Sequence, residues 1–107
     1  MANRIDPKII DIVNTYIVEV KKHINVDFVF LFGSFVNGNP HDGSDIDVAI
    51  VSRDLNGGLD EWLPLARLTR NIDLRIEPHP IPIEDFETTA TSLVYEIRQH
   101  GIQLYAA

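Results

Sequence analysis

Two acidic residues stand at the head of an apolar segment of this chain. Asp45 and Asp47 flank one isoleucine at the start of the run "DIDVAIVS". Residues two apart in a strand project to the same side, with their Cα atoms about 6.5 to 7 Å apart, so both carboxylates would share one face. Carboxylate oxygens suit Mg²⁺, which keeps several waters and takes substrate phosphate oxygens to complete its octahedron. The pair therefore predicts a metal site that handles phosphates.

A third acid lies in a segment that predicts another strand. Residues 71–77, "NIDLRIE", alternate between apolar and polar positions, which predicts a strand over 72–77. Its polar face carries Asp73, Arg75 and Glu77, and pairing beside the strand of the first two acids would bring Asp73 next to them. Phosphoryl-transfer sites with two metal ions hold them about 3.5 to 4 Å apart. Taken singly, each acid is more simply a solvated surface residue, and only the cluster predicts a site.

A glycine and a serine follow the first apolar run. Residues 27–32, "DFVFLF", favour β-structure without alternation, which predicts a central strand covered on both faces. Gly33 has no side chain to block a phosphate, and Ser34 offers a hydroxyl and an N–H at the start of a predicted helical turn. Residues 35–44 then separate this pair from the next strand. The spacing places an anion-binding turn close to the acids.

These motifs together resemble a known family. Gly-Ser, ten residues and Asp-Ile-Asp resembles the signature of the polymerase-beta-like nucleotidyltransferase superfamily, and "NIDLRIEP" resembles the strand that carries its third aspartate. The resemblance covers nearly the whole chain, and the short length is similar to that of minimal bacterial and archaeal nucleotidyltransferases. It implies an α/β (α+β) fold, with a small mixed sheet, flanking helices and the palm-like topology of the family.

The resemblance also implies which residues contact the nucleotide. Gly33 and Ser34 would contact the triphosphate of ATP, the donor that the family implies. Arg75 matches an arginine that pairs with an active-site aspartate in polymerase relatives. An arginine that faces acids equally fits a plain structural ion pair.

For the metal and the chemistry, the resemblance implies one set of three residues. Asp45 and Asp47 would bind two magnesium ions, and Asp73 would complete the site near the attacking hydroxyl and accept its proton. The reaction implied is attack of an acceptor hydroxyl on the α-phosphorus of ATP, with transfer of AMP and release of pyrophosphate.

The acceptor is implied only by the family. Minimal relatives act as antitoxins that bind HEPN-type toxins, a ribonuclease class, or adenylylate them on tyrosine. A binding module that neutralises its partner by occlusion is the alternative, because Asn37 stands where many minimal members carry arginine and residues 35–44 contain no lysine or arginine. A small-molecule acceptor, as in aminoglycoside adenylyltransferases, would require an added acceptor domain.

Composition limits the class of protein. The 107 residues predict one domain, 1–107, and nine basic against sixteen acidic residues give a net charge of −7. That sign opposes direct binding to nucleic acid, which depends on basic side chains. The apolar runs fall short of the ~20 residues of a membrane span. The chain has no cysteine, and its amino terminus lacks the order of a secretory signal, so we expect a cytoplasmic protein without membrane contact.

The remaining elements follow from apolar spacing and helix-capping residues. Helical periodicity predicts a helix over 7–24, a short helix between 59 and 68, and a third that ends at about His100. The second strand is predicted over 45–51, and "IQLY" at 102–105 predicts a final strand. Three prolines after residue 77 are expected to end the third strand.

Other conspicuous side chains receive structural interpretations. His41 and His79 are predicted to be loop residues, and Trp62 is predicted to belong to the core. A surface that docks the acceptor protein is expected near the carboxy-terminal part of the chain. Its predicted members are Tyr95, Ile102, Leu104 and Tyr105, and the alternative is that these residues belong to the core.

Overall fold

The elements described here come from a computed structural model, which describes residues 5–38, 40 and 43–107. The helices are α1 (Pro7–Lys21), α2 (Ser34–Asn37), α3 (Trp62–Arg67), α4 (Ile83–Thr88) and α5 (Ser92–His100). The strands are β1 (Phe28–Phe32), β2 (Ile46–Ser52), β3 (Ile76–Pro82) and β4 (Ile102–Ala106). Short 3₁₀ segments at Leu59–Glu61 and Leu68–Asn71 precede and follow α3. His41, predicted to be a loop residue, lies outside the described residues.

The four strands form one mixed sheet in the order β3-β2-β1-β4. β1 runs antiparallel to both β2 and β4, whereas β2 and β3 run parallel. The α/β prediction and the adjacency of the first three strands are therefore confirmed. No helix in the described part of the chain is long and apolar enough to cross a membrane.

Apolar side chains cover both faces of the sheet. On one face, α1 and α3 pack against β1 and β2 through a cluster that includes Tyr16, Leu31, Val48 and Leu65. A second cluster, on the opposite face, joins β1 and β2 to α4 and α5. Its buried members are Phe30, Phe32, Ala49, Val51, Ile81, Phe86, Val94 and Ile97. The continuous apolar runs of β1 and β2 thus reflect burial on both faces, as predicted.

The third strand starts four residues later than predicted. The strand expected at 72–77 is observed at Ile76–Pro82, and it contains the three prolines that were expected to end it. β3 is an edge strand, and the N–H of Ile46 donates to the carbonyl of Arg75, so alternate residues from Arg75 onward face β2. Pro78, Pro80 and Pro82 fall on the other alternation and direct their nitrogens to the open edge, where no N–H is needed.

The first helix agrees closely with its prediction, although it ends at Lys21 rather than at residue 24. Asp6 caps it by accepting a hydrogen bond of 2.9 Å from the N–H of Lys8. Its buried face consists of Ile9, Val13, Tyr16, Ile17 and Val20. The hydroxyl of Tyr16 donates to the carbonyl of Leu65 at 2.7 Å, which ties α1 to α3.

One prediction about apolar side chains is wrong, and for another the structure favours the core alternative. Trp62 is 42% exposed, not core, because α3 is only six residues long and buries Leu65 alone. In the proposed docking surface, Tyr95 is exposed, but Ile102, Leu104 and Tyr105 are half-buried against the core cluster that contains α1. The expected carboxy-terminal surface is therefore largely engaged in the fold.

Candidate active site

Asp47 occupies a partly buried corner where β1, β2 and β3 meet. Its side chain is 24% exposed, and Oδ1 lies 3.1 Å from Nε2 of His79. Phe32 is its partner on β1, and Glu77 is its partner on β3. We call the surroundings of Asp47, formed by Gly33, Glu77 and His79, the Asp47 corner. It brings a carboxylate pair and the predicted phosphate turn together.

Gly33 closes one side of this corner. Its backbone adopts φ +80° and ψ −150°, a region that residues other than glycine rarely adopt. A methyl group built on Gly33 would overlap Oδ2 of Asp47 and would lie 3.1 Å from its Cγ. Glycine is thus required twice, by its backbone angles and by the approach of the carboxylate.

Ser34 starts the short helix that follows. The carbonyl of Gly33 accepts hydrogen bonds from the N–H groups of Val36 and Asn37 at 3.0 and 2.9 Å. The N–H groups of Ser34 and Phe35 precede the first of these donors, so the helix itself offers them no acceptor. The predicted helical turn is therefore observed and begins beside Asp47, and its phosphate-binding role stays a prediction.

Asp45 lies one residue before β2 and is exposed. The strand predicted to start at Asp45 starts instead at Ile46. Asp45 and Asp47 still lie at the same end of β2, although only Asp47 pairs with the neighbouring strands. Their role as metal ligands stays a prediction.

Asp73 lies in a turn before β3, not in a strand beside Asp47, so its predicted position is wrong. Arg75 holds both carboxylate oxygens: Nε donates to Oδ1 at 3.0 Å and Nη2 to Oδ2 at 2.8 Å. The N–H of Arg75 also donates to Oδ1 at 2.9 Å. These hydrogen bonds hold the pKa of Asp73 below its ordinary value, although partial burial opposes the shift. The pair fits the structural interpretation of Arg75, and the metal-binding role of Asp73 stays a prediction.

Glu77 takes the position that was expected for the third acid. The parallel register pairs Asp47 with Glu77 and Ala49 with His79, and partners on adjacent strands face the same side. Among the described residues, no hydrogen bond or ion pair occupies the Glu77 carboxylate. The sequence indicated that Glu77 shares the polar face of Asp73, because the two residues have the same alternation. The strand was expected to end before Pro78, however, which made Glu77 its last residue.

His79 was predicted to be a loop residue and lies instead in the middle of β3. The centroid of its ring lies 4.9 Å from that of Phe32, and the two ring planes are inclined at 63°. No ligand spacing in the sequence could have revealed this position, because the contact with Asp47 depends on the pairing of β2 with β3.

The donor set fits magnesium in one particular way. Among the residues that the structure describes, no three His, Asp or Glu side chains lie close enough together to enclose a metal ion. Magnesium, however, is commonly bound by one or two carboxylates and completed by substrate phosphates and water. Asp45 and Asp47, with Glu77 beside Asp47, suit an ion that arrives with a triphosphate rather than a closed protein cage.

A separate cavity lies at the other end of β2. It has a volume of about 510 Å³ and is lined by residues that include Asp54, Leu55, Asp60 and Leu65. Since β2 runs from Ile46 to Ser52, this cavity and the Asp47 corner lie at opposite ends of the strand.

Residues 10–107 match the family model described as "Polymerase beta, Nucleotidyltransferase". The chain belongs to the polymerase-beta nucleotidyltransferase family. This confirms the resemblance carried by the Gly-Ser and Asp-Ile-Asp motifs.

Two relatives carry names that specify a protein acceptor. The chain is 26% identical over 80 residues to "Protein adenylyltransferase MntA" of Shewanella oneidensis, a match that covers 75% of this chain and 54% of that protein. It is 29% identical over 94 residues to "Putative protein adenylyltransferase MJ0141" of Methanocaldococcus jannaschii, covering 82% of this chain and 94% of that protein. The chain thus spans about half the length of MntA and nearly all of MJ0141.

Solved structures support the fold. A toxin–antitoxin complex with AMP-PNP matches with a TM-score of 0.64 and 24% identity, covering 87% of this chain and 73% of that one. A complex of tri-AMPylated Shewanella oneidensis HEPN toxin with its MNT antitoxin matches with a TM-score of 0.56 and 22% identity, covering 88% and 69%. At these identities the likeness concerns the fold.

Proposed function

We propose that this protein transfers AMP from ATP to a hydroxyl of a HEPN-type toxin in the cytoplasm and thereby acts as an antitoxin. The observation that carries the proposal is the Asp47 corner, where Gly33, the residue before Ser34, lies against the carboxylate of Asp47, and Glu77 is the strand partner of Asp47. The names of MntA and MJ0141, and the AMPylated toxin in a complex of similar fold, support a protein as the acceptor.

Residues in the corner and next to it would have distinct tasks. The hydroxyl and N–H of Ser34 would bind phosphate oxygens of ATP at the start of α2. Asp45 and Asp47 would hold magnesium, two ions in the form the family implies. When bound, magnesium offsets charge on the triphosphate and orients it for in-line displacement.

A carboxylate near the acceptor would take up the proton of the attacking hydroxyl. The sequence assigned this task to Asp73, whose two oxygens are engaged by Arg75. The Glu77 carboxylate lies beside Asp47 and has no competing partner among the described residues. We therefore favour Glu77 as the proton acceptor and as the third acid of the site.

One observation favours the alternative, a weak enzyme that neutralises its partner by occlusion. Asn37 is exposed on α2 where a cation would face the phosphates, and residues 35–44 contain no lysine or arginine. Arg75 is committed to Asp73 and cannot replace that charge without giving up its ion pair. Binding of the triphosphate would therefore depend strongly on magnesium.

Incubation with a HEPN-type toxin, ATP and magnesium, followed by intact-mass analysis of the toxin, tests the proposal. We expect the toxin to gain adenylate with the wild-type protein and to gain none with Asp47→Asn, while the complex persists. Asp60→Asn is the matched control, because Asp60 is an exposed acid at the other end of β2. A toxin that the wild-type protein neutralises fully but leaves unmodified would reject transfer and support occlusion.

A further inference from the structure

A histidine contacts the central acid of the site from the neighbouring strand. Nε2 of His79 lies 3.1 Å from Oδ1 of Asp47, and both side chains are about one quarter exposed, 27% and 24%. An ionised carboxylate can only accept a hydrogen bond, so Nε2 must carry the proton in this contact. The contact therefore fixes the role of one oxygen of Asp47.

The second oxygen of Asp47 points elsewhere. Oδ2 faces Gly33, close enough that a methyl group there would overlap it. Gly33 leads directly into Ser34 and α2, the predicted phosphate turn. With Oδ1 occupied by the histidine, Oδ2 is the oxygen left to face a ligand at that turn.

The position of the His79 ring is itself constrained. Phe32, the β1 partner of Asp47, presents its ring at 4.9 Å and 63° to the imidazole. Pro78 and Pro80 flank His79 and fix the backbone φ on either side of it. A ring held by an aromatic neighbour and a stiff strand loses little entropy when it donates a hydrogen bond.

We propose that His79 is a positioning residue that donates Nε2–H to Oδ1 of Asp47 and so directs Oδ2 toward the cation that accompanies the triphosphate. The proposal rests on the proposed function for the identity of that cation. Hydrogen-bonded partners of metal-binding carboxylates typically contribute 10- to 100-fold to metal affinity. His79 would then partly compensate for the absence of lysine and arginine from residues 35–44, because it would keep Oδ2 of Asp47 oriented toward magnesium.

Manganese binding to the purified protein, measured by EPR titration with and without AMP-PNP, tests this role without a partner protein. His79→Leu should weaken manganese affinity about tenfold. His79→Gln should recover most of it, because its amide N–H can reach a similar position. His100→Leu, at an exposed histidine on α5, is the matched control and should bind as the wild type does.

The outcomes separate the two proposals. Equal affinity in the wild type and His79→Leu would overturn the positioning role and leave the proposed function standing. Equal weakening in His79→Leu and His79→Gln, with a matching fall in melting temperature, would also overturn it, since packing alone would then explain the loss. A wild-type protein that binds no manganese even with AMP-PNP would reject both proposals.

Discussion

Replacing Gly33 with alanine should destabilise the protein and displace the carboxylate of Asp47. A residue held at φ +80° and ψ −150° costs about 1–3 kcal/mol when it is not glycine. The new methyl group would also overlap Oδ2 of Asp47, and a carboxylate that moves away gives up its contact with His79, worth about 1 kcal/mol. We expect the free energy of unfolding in urea to fall by about 2–4 kcal/mol and AMP transfer to be lost.

Gly38→Ala separates backbone strain from the clash. Gly38 has φ +86°, but among the described residues no atom beyond its chain neighbours lies within 4 Å of a methyl group built at that position. The free energy of unfolding of Gly38→Ala should therefore fall by only about 1–2 kcal/mol, and AMP transfer should persist. In an Asp47→Ala background, Gly33→Ala should cost about 1 kcal/mol less than in the wild type, because no carboxylate remains to be displaced. An equal cost in both backgrounds would refute the proposed contact between Gly33 and Asp47.

Three other predictions concern the acids and the core. Glu77→Gln should reduce AMP transfer at least tenfold with little loss of stability. Asp73→Asn should chiefly lower the melting temperature. The reverse pattern would indicate that Asp73, not Glu77, is the third acid. Tyr16→Phe leaves the buried carbonyl of Leu65 without its 2.7 Å donor and should cost about 1–3 kcal/mol in urea unfolding; an unchanged midpoint would show that water replaces the donor. Hydrogen bonds from an arginine hold the folded pKa values of Asp27 and Asp73 below the ordinary 3.8. The unfolded state therefore takes up protons first, and the free energy of unfolding should fall as the pH drops below about 4. Asp27→Asn should make this decline shallower, and an unchanged slope would contradict the assignment.

Local patterns were sufficient for much of the fold and part of the site. Helical spacing identified the buried face of α1, and unbroken apolar runs identified β1 and β2 as strands covered on both faces. The family motif placed Gly33 and Ser34 near Asp47, and the structure places Gly33 against that carboxylate. These features are readable because each depends on residues close together in sequence or on the spacing of the family motif.

The third strand was misplaced because its evidence is not local. Prolines end a strand in the middle of a sheet, but they are tolerated at an edge when their nitrogens face away from the neighbour. Whether Pro78 meets that condition depends on which strand lies beside β3, and the sequence alone does not say. The misplaced strand put Asp73 rather than Glu77 beside Asp47, and it put His79 in a loop.

Short helices raise a different difficulty. Trp62 is a large apolar residue of a type usually found in the core, but α3 is so short that Trp62 remains partly exposed. Amphipathic spacing predicts a buried face reliably over several turns, and six residues supply fewer than two.

The central claim is that the Asp47 corner binds the nucleotide and its metal. A crystal structure of the protein with manganese and AMP-PNP, with the ion located by its anomalous signal, tests this most directly. We expect the ion within coordination distance of Oδ2 of Asp47, with triphosphate oxygens in the same shell and Ser34 on a phosphate. An ion and nucleotide bound elsewhere, such as in the cavity beside Leu55 and Leu65, would contradict the claim.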